Sequence, residues 1–145
     1  MKKIIVTTLL MGWLGLGCAM AQDVKAKDVP AVVKDALVKK YPAATKVSWE
    51  KENGNYEANW GGTSGEDNSA QFSPAGAFVE YVKAIKVSEL PAAVVAYVKQ
   101  HYPGVTIKEA GKVTDAAGAT SYEAQVKGKD LVFDANGNFV KAEED

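Results

Sequence analysis

The chain has 145 residues, 47% hydrophobic and 24% charged, with a formal net charge of -1. That length allows one ordinary domain or two very small ones, and the composition excludes a disordered or collagen-like chain. All 17 basic residues are lysine; specific nucleic-acid recognition leans on arginine, so no nucleic-acid partner is expected.

Residues 1–21 read as an export signal. Lys2 and Lys3 precede an apolar run from Ile4 to Leu16, and Ala19-Met20-Ala21 supplies a small-x-small cleavage site before Gln22. The run is shorter than the roughly 20 apolar residues that span a bilayer. Cleavage after Ala21 discards Cys18, the only cysteine, and leaves 145 − 21 = 124 residues with a charge of 15 − 18 = -3. The alternative is a lipid anchor at Cys18, since Leu14-Gly15-Leu16-Gly17-Cys18 resembles a lipoprotein signal, although Gly15 stands where leucine is usual. Both routes place the domain in the periplasm or otherwise outside the cytoplasm, without a free thiol or disulfide.

The remainder is one unit written twice. Val29-Pro30 opens an apolar periodic segment ending in Tyr41-Pro42, and Leu90-Pro91 opens another ending in Tyr102-Pro103, at an offset of 61. Phe72-x-x-x-Gly76-x-Phe78-Val79 recurs at the same offset as Phe133-x-x-x-Gly137-x-Phe139-Val140, and Tyr56-Glu57-Ala58 recurs as Tyr122-Glu123-Ala124 at an offset of 66. The spacing predicts a helix at the head of each repeat. Asp28 and Ser88 are candidate N-caps, and Pro42 and Pro103 are the stops. Val29, Val33, Ala36, Leu37 and Tyr41 share one helical face, as do Leu90, Val94, Tyr97, Val98 and Tyr102.

The helices are followed by alternating segments that predict short antiparallel strands. Core-facing residues are expected at Val47, Trp49, Tyr56, Ala58, Trp60, Ala70, Phe72, Phe78 and Val82. In the second repeat they are expected at Val105, Ile107, Tyr122, Ala124, Val126, Leu131, Phe133 and Phe139. The expected fold is α+β: two tandem helix-plus-antiparallel-sheet repeats, 22–87 and 88–145, forming one compact domain with both helices packed on one face of a shared sheet. Val95 and Ala96 replace Lys34 and Asp35 in the second helix, an extra apolar stripe expected to meet the other repeat.

The Val-Pro-x-x-Val helix running into Lys-Lys-Tyr-Pro, the Trp-Glu and Tyr-Glu-Ala strands and the Phe-Asp-Ala-Asn-Gly turn resemble the PepSY-like proteins, exported proteins of the Bacteroidetes type that are also described as β-lactamase-inhibitor-like. The likeness covers nearly all of residues 24–142. It implies an extracytoplasmic binding or inhibitory module without catalytic residues, and it names no partner.

Candidate chemistry is sparse, so no catalytic, metal or cofactor residues are expected. His101, the only histidine, occupies the place of Lys40 in the other repeat, which suits the negative end of a helix dipole. Glu66-Asp67 and Glu143-Glu144 lie where exposure and mobility are expected. Asp134-x-Asn136-x-Asn138 has oxygens at the first, third and fifth positions of a calcium loop but Phe139 at the sixth, where glycine is needed; a hairpin turn on Asn136-Gly137 is the simpler reading. Gly61-Gly62-Thr63-Ser64-Gly65 lacks the lysine and the following helix of a phosphate loop.

Helices on one face leave the other face of a sheet open. By alternation, Glu57, Asn59, Gln71, Val79 and Tyr81 would line it in the first repeat, and Glu123, Gln125, Val132 and Val140 in the second. The expected function is a non-enzymatic module that recognises an extracytoplasmic protein partner through this face. The alternative is a calcium-responsive or small-ligand-binding periplasmic protein.

Overall fold

A computed structural model of the chain describes residues 21–144. The expected export signal, apart from Ala21, and Cys18 therefore lie outside the described residues. Two α-helices, two 3-10 turns and nine strands are described, which makes an α+β chain that is mostly β. The described residues fall into two compact units, one up to Glu80 and one from Tyr81.

The first unit contains β1 (Gln22–Val24), α1 (Ala31–Lys40), β2 (Ser48–Glu52), β3 (Asn55–Trp60), β4 (Asn68–Phe72) and the start of β5 (Phe78–Ile85). Strands β1 to β4 pair antiparallel in chain order. Val33 and Leu37 of α1 are buried, as are Trp49, Ala58, Trp60, Ala70 and Phe72 of the sheet. Tyr41, just past the helix, lies 5.3 Å from the Trp60 ring and 6.4 Å from the Phe78 ring, closing the aromatic side of this core.

The second unit contains the rest of β5, then α2 (Ala92–His101), β6 (Ala110–Asp115), β7 (Thr120–Val126), β8 (Lys129–Asp134) and β9 (Phe139–Glu144), with β6 to β9 paired antiparallel in chain order. Leu90, Val94, Val98, Ile107, Ala124, Val126, Leu131 and Phe133 form its buried core. Val95, Tyr97 and Tyr102 pack against the same cluster, so Val95 of the extra apolar stripe finds contacts within its own unit.

Both helices begin one residue after their proline. Pro30 and Pro91 hold the N-cap position without a side-chain cap. Asp28 and Ser88 lie instead in 3-10 turns, Ala26–Asp28 and Val87–Glu89, too far upstream to cap the helices. The proline carbonyls take that role: Pro30 O accepts from Val33 N and Lys34 N at 3.1 and 3.2 Å, and Pro91 O from Val94 N at 3.0 Å. The stops fall at Lys40 and His101, ahead of Pro42 and Pro103.

Two strands differ from expectation. Strand β1 carries exposed Gln22 and Asp23 and no apolar alternation. Residues 105–109 form no strand, although Ile107 is buried. Lys108 N donates to Gln125 O at 3.0 Å and Gln125 N to Glu109 O at 2.9 Å, so two residues oppose one. This bulge interrupts the pairing, and regular strand resumes at Ala110.

Three five-residue turns share one construction. In Ser73–Ala77, Asp115–Ala119 and Asp134–Asn138 the first residue's N–H bonds the fifth residue's carbonyl, at 2.8, 3.0 and 2.9 Å. The fourth residue is a glycine at φ +82°, +85° and +82°. The first residue's side chain accepts from the fifth residue's N–H, at 3.1, 2.8 and 2.9 Å.

Candidate functional site

Alternation gives each unit an apolar helix-side surface and a polar opposite one. In the first unit Trp49, Ala58 and Ala70 stand in register on the core side. One residue along, Asp23, Glu50, Glu57 and Gln71 form a row across four strands. Asn59 stands opposite Ser69 in the neighbouring row of this face. Asn55 Nδ2 donates to Gln71 Oε1 at 3.2 Å, and the Ser69 hydroxyl donates to Glu57 Oε1. In the second unit Gln125, Asp130 and Glu143 form one row, and Gly111, Glu123, Val132 and Lys141 another. Lys141 pairs with Glu143.

The structure thus brings Glu57, Asn59 and Gln71 together on one polar surface, and Glu123, Gln125 and Val132 on another. Glu57, Asn59, Gln71, Glu123 and Gln125 are buried, at 2–7% exposure, while Val79 and Tyr81 are half-buried. Burial pushes the Tyr81 phenol above its ordinary pKa. Val140 does not join the surface. A register shift between Val132 and Phe133 sets Lys141 opposite Val132 and Phe139 opposite Phe133, leaving Val140 as the extra residue, 52% exposed.

Glu50, Glu52 and Asp130 belong to the polar surfaces and were absent from the sequence reading. The signal was present, because Glu50 and Glu52 alternate with Trp49, and Asp130 adjoins core residue Leu131. Glu143, expected to be mobile, stands in β9 opposite Asp130.

Elsewhere the chemistry is structural. His101 Nδ1 lies 3.0 Å from Tyr97 O, and its ring stacks on Tyr97 at 3.9 Å. Lys40, its counterpart, places Nζ 4.1 Å from the Phe78 ring centre. Asp134 Oδ1 accepts from Asn136 N and Asn138 N, each at 2.9 Å, and Oδ2 accepts from Asn138 Nδ2 at 2.9 Å. These bonds, led by the Asn138 side chain, hold the Asp134 carboxyl below the usual aspartate range. Both carboxylate oxygens thus accept hydrogen bonds within the turn. Among the described residues no three histidine, cysteine or acidic side chains are placed to hold a metal ion.

A folded-state pKa that is depressed gives a contribution present above the unfolded pKa and lost as pH falls through the folded one. Asp134→Ala is therefore expected to destabilise the chain at neutral pH. The gap to wild type should shrink below about pH 4. Urea midpoints at neutral and strongly acidic pH check this, and a gap independent of pH would contradict it.

The sequence matches the family described as "Putative beta-lactamase-inhibitor-like, PepSY-like" over residues 13–61 and 61–141. Three crystal structures share the fold. A "putative periplasmic" protein of Bacteroides eggerthii is 21% identical with a TM-score of 0.69, covering 80% of this chain and 88% of its own. A DUF2874 family protein of Bacteroides uniformis is 23% identical with a TM-score of 0.67, covering 79% and 88%. A BLIP-like protein of Bacteroides fragilis is 22% identical with a TM-score of 0.61, covering 79% and 85%. No curated protein matches the chain.

Proposed function

The chain belongs to the PepSY-like family, and from that premise we propose that it is a non-enzymatic, exported module that binds a protein partner through the polar surface of its sheet. Export is supported by the Lys2-Lys3, apolar and Ala19-Met20-Ala21 sequence, and by the periplasmic description of the Bacteroides eggerthii protein. In this reading residues 22–87 and 88–145 join in one sheet with both helices on one face. Glu57, Asn59, Gln71, Val79, Tyr81, Glu123 and Gln125 contribute to the recognition surface.

The observation that carries the reading is the row Asp23, Glu50, Glu57. Like charges directly opposite one another are destabilising in a sheet. A local rule broken in this way, beside a well-packed apolar face, is characteristic of a functional surface. The alternative, a calcium-responsive or small-ligand protein, rests on the acid-bearing turns, whose best candidate, Asp134, already accepts three hydrogen bonds.

Carboxyl footprinting of the exported chain tests the proposal. Glu57 and Glu123 of that chain are expected to react with a water-soluble carbodiimide, whereas carboxylates that stay unreactive would show a closed surface and contradict the reading.

A further inference from the structure

The chain carries two Asn-Gly pairs, Asn53-Gly54 and Asn136-Gly137. Glycine lacks a Cβ, so its backbone nitrogen is unhindered in approaching the preceding side-chain amide. The pairs differ in how the fold holds that nitrogen. Asn53 and Gly54 are the central residues of a two-residue hairpin loop between Glu52 and Asn55, at φ +49° and +83°. Turns with two positive φ values are closed by bonds between the flanking residues, which leaves the central N–H facing water. Both residues are exposed, and a Cβ built on Gly54 would meet nothing within 4 Å.

Asn136-Gly137 is clamped. Gly137 N donates to Asp134 O at 3.0 Å, and Asn136 N donates to Asp134 Oδ1 at 2.9 Å. Gly137 is buried against α2, where a Cβ would lie 2.9 Å from Ala93 Cβ and 3.3 Å from Pro91 Cβ. Its nitrogen is engaged, and the backbone has no room to rotate into an attacking geometry.

We propose that Asn53 is a site of spontaneous deamidation in the folded protein and that the fold protects Asn136 from the same reaction. The Gly54 nitrogen, having given its proton to hydroxide, bonds to Cγ of Asn53. The Cγ–Nδ2 bond breaks, and Nδ2 leaves as ammonia after taking a proton from water, which restores the hydroxide. Water then opens the cyclic imide at either carbonyl, giving aspartate or isoaspartate at position 53. The product adds a negative charge at the tip of the hairpin that carries Glu50, Glu52 and Glu57.

The test is incubation of the purified exported protein in mildly alkaline buffer, with peptide mapping by mass spectrometry. Asn53 is expected to convert at least about fivefold faster than Asn136, the factor that one ordinary hydrogen bond of about 1 kcal/mol supplies. In concentrated urea the two rates should converge. Asn136 converting as fast as Asn53 in the folded chain would overturn the proposal. So would an undiminished gap in urea, which would assign the difference to flanking sequence, or a folded chain stable at both sites while the unfolded chain converts.

Discussion

Phe133→Ala is expected to destabilise the protein by about 3–5 kcal/mol, the cost of removing a buried phenylalanine and leaving its cavity. Phe133 is fully buried, and its ring meets Tyr97 edge-on at 5.4 Å and Phe139 at 5.9 Å. Around it stand Leu90, Val94, Val98, Leu131 and Val126, contributed by the chain before α2, by α2 and by two strands. The loss is large against a total stability of roughly 5–15 kcal/mol. Phe133→Leu keeps most of the volume and should cost less than about 1.5 kcal/mol if the site repacks. Urea unfolding followed by far-ultraviolet circular dichroism measures both. Tryptophan emission is the wrong probe, because Trp49 and Trp60 both lie in the first unit. Equal, small losses for the two variants would place Phe133 outside the core.

Gly137→Ala is the second large effect, expected at about 2–5 kcal/mol. Two costs add. Its φ of +82° lies in the left-handed region, which costs an alanine about 1–2 kcal/mol. The new methyl would sit 2.9 Å from Ala93 Cβ and 3.4 Å from Val94 Cγ2, and relieving such overpacking costs about 1–3 kcal/mol more. Gly118→Ala separates the terms, because Gly118 occupies the same turn position at φ +85° with nothing within 4 Å of its Cβ. It should lose only the conformational part, about 1–2 kcal/mol. Equal losses at the two positions would refute the contact between the Asp134–Asn138 turn and α2. The first repeat is built alike: a Cβ on Gly76 would lie 2.9 Å from Val32 O.

These two sites explain why the repeat anchors were legible from sequence. Phe72 with Gly76, and Phe133 with Gly137, couple a core ring to a glycine that lets a hairpin close against a helix. Helix-face spacing placed Val33, Leu37, Val94 and Val98 in the two cores, where they are buried. Two of the failures have one physical source. Alternation assigns faces only while pairing is regular, and a one-residue bulge inverts every assignment beyond it. The bulge at Lys108 and Glu109 hid β6, and the shift beside Val132 moved Val140 off the polar surface. Strand β1 was hidden differently: three residues, with Gln22 and Asp23 exposed, offer no apolar pattern to read. The polar surface was legible in part. Glu57 and Glu123 follow from alternation, but the register of Glu50 against Glu57 depends on how β2 and β3 pair.

The most direct test of partner recognition is equilibrium capture by immobilised mature chain, comparing wild type with Tyr81→Ala and Tyr81→Phe in envelope extract from the source organism. Tyr81 is half-buried on β5, and tyrosines are enriched among the residues that dominate interfaces. A single saturable partner, competed by free protein, should bind Tyr81→Ala at least about tenfold more weakly, equivalent to about 1.4 kcal/mol. Tyr81→Phe should retain most of the binding, and far-ultraviolet circular dichroism should be unchanged in both variants. Equal capture by wild type and Tyr81→Ala, or no saturable partner at all, would contradict recognition through this surface.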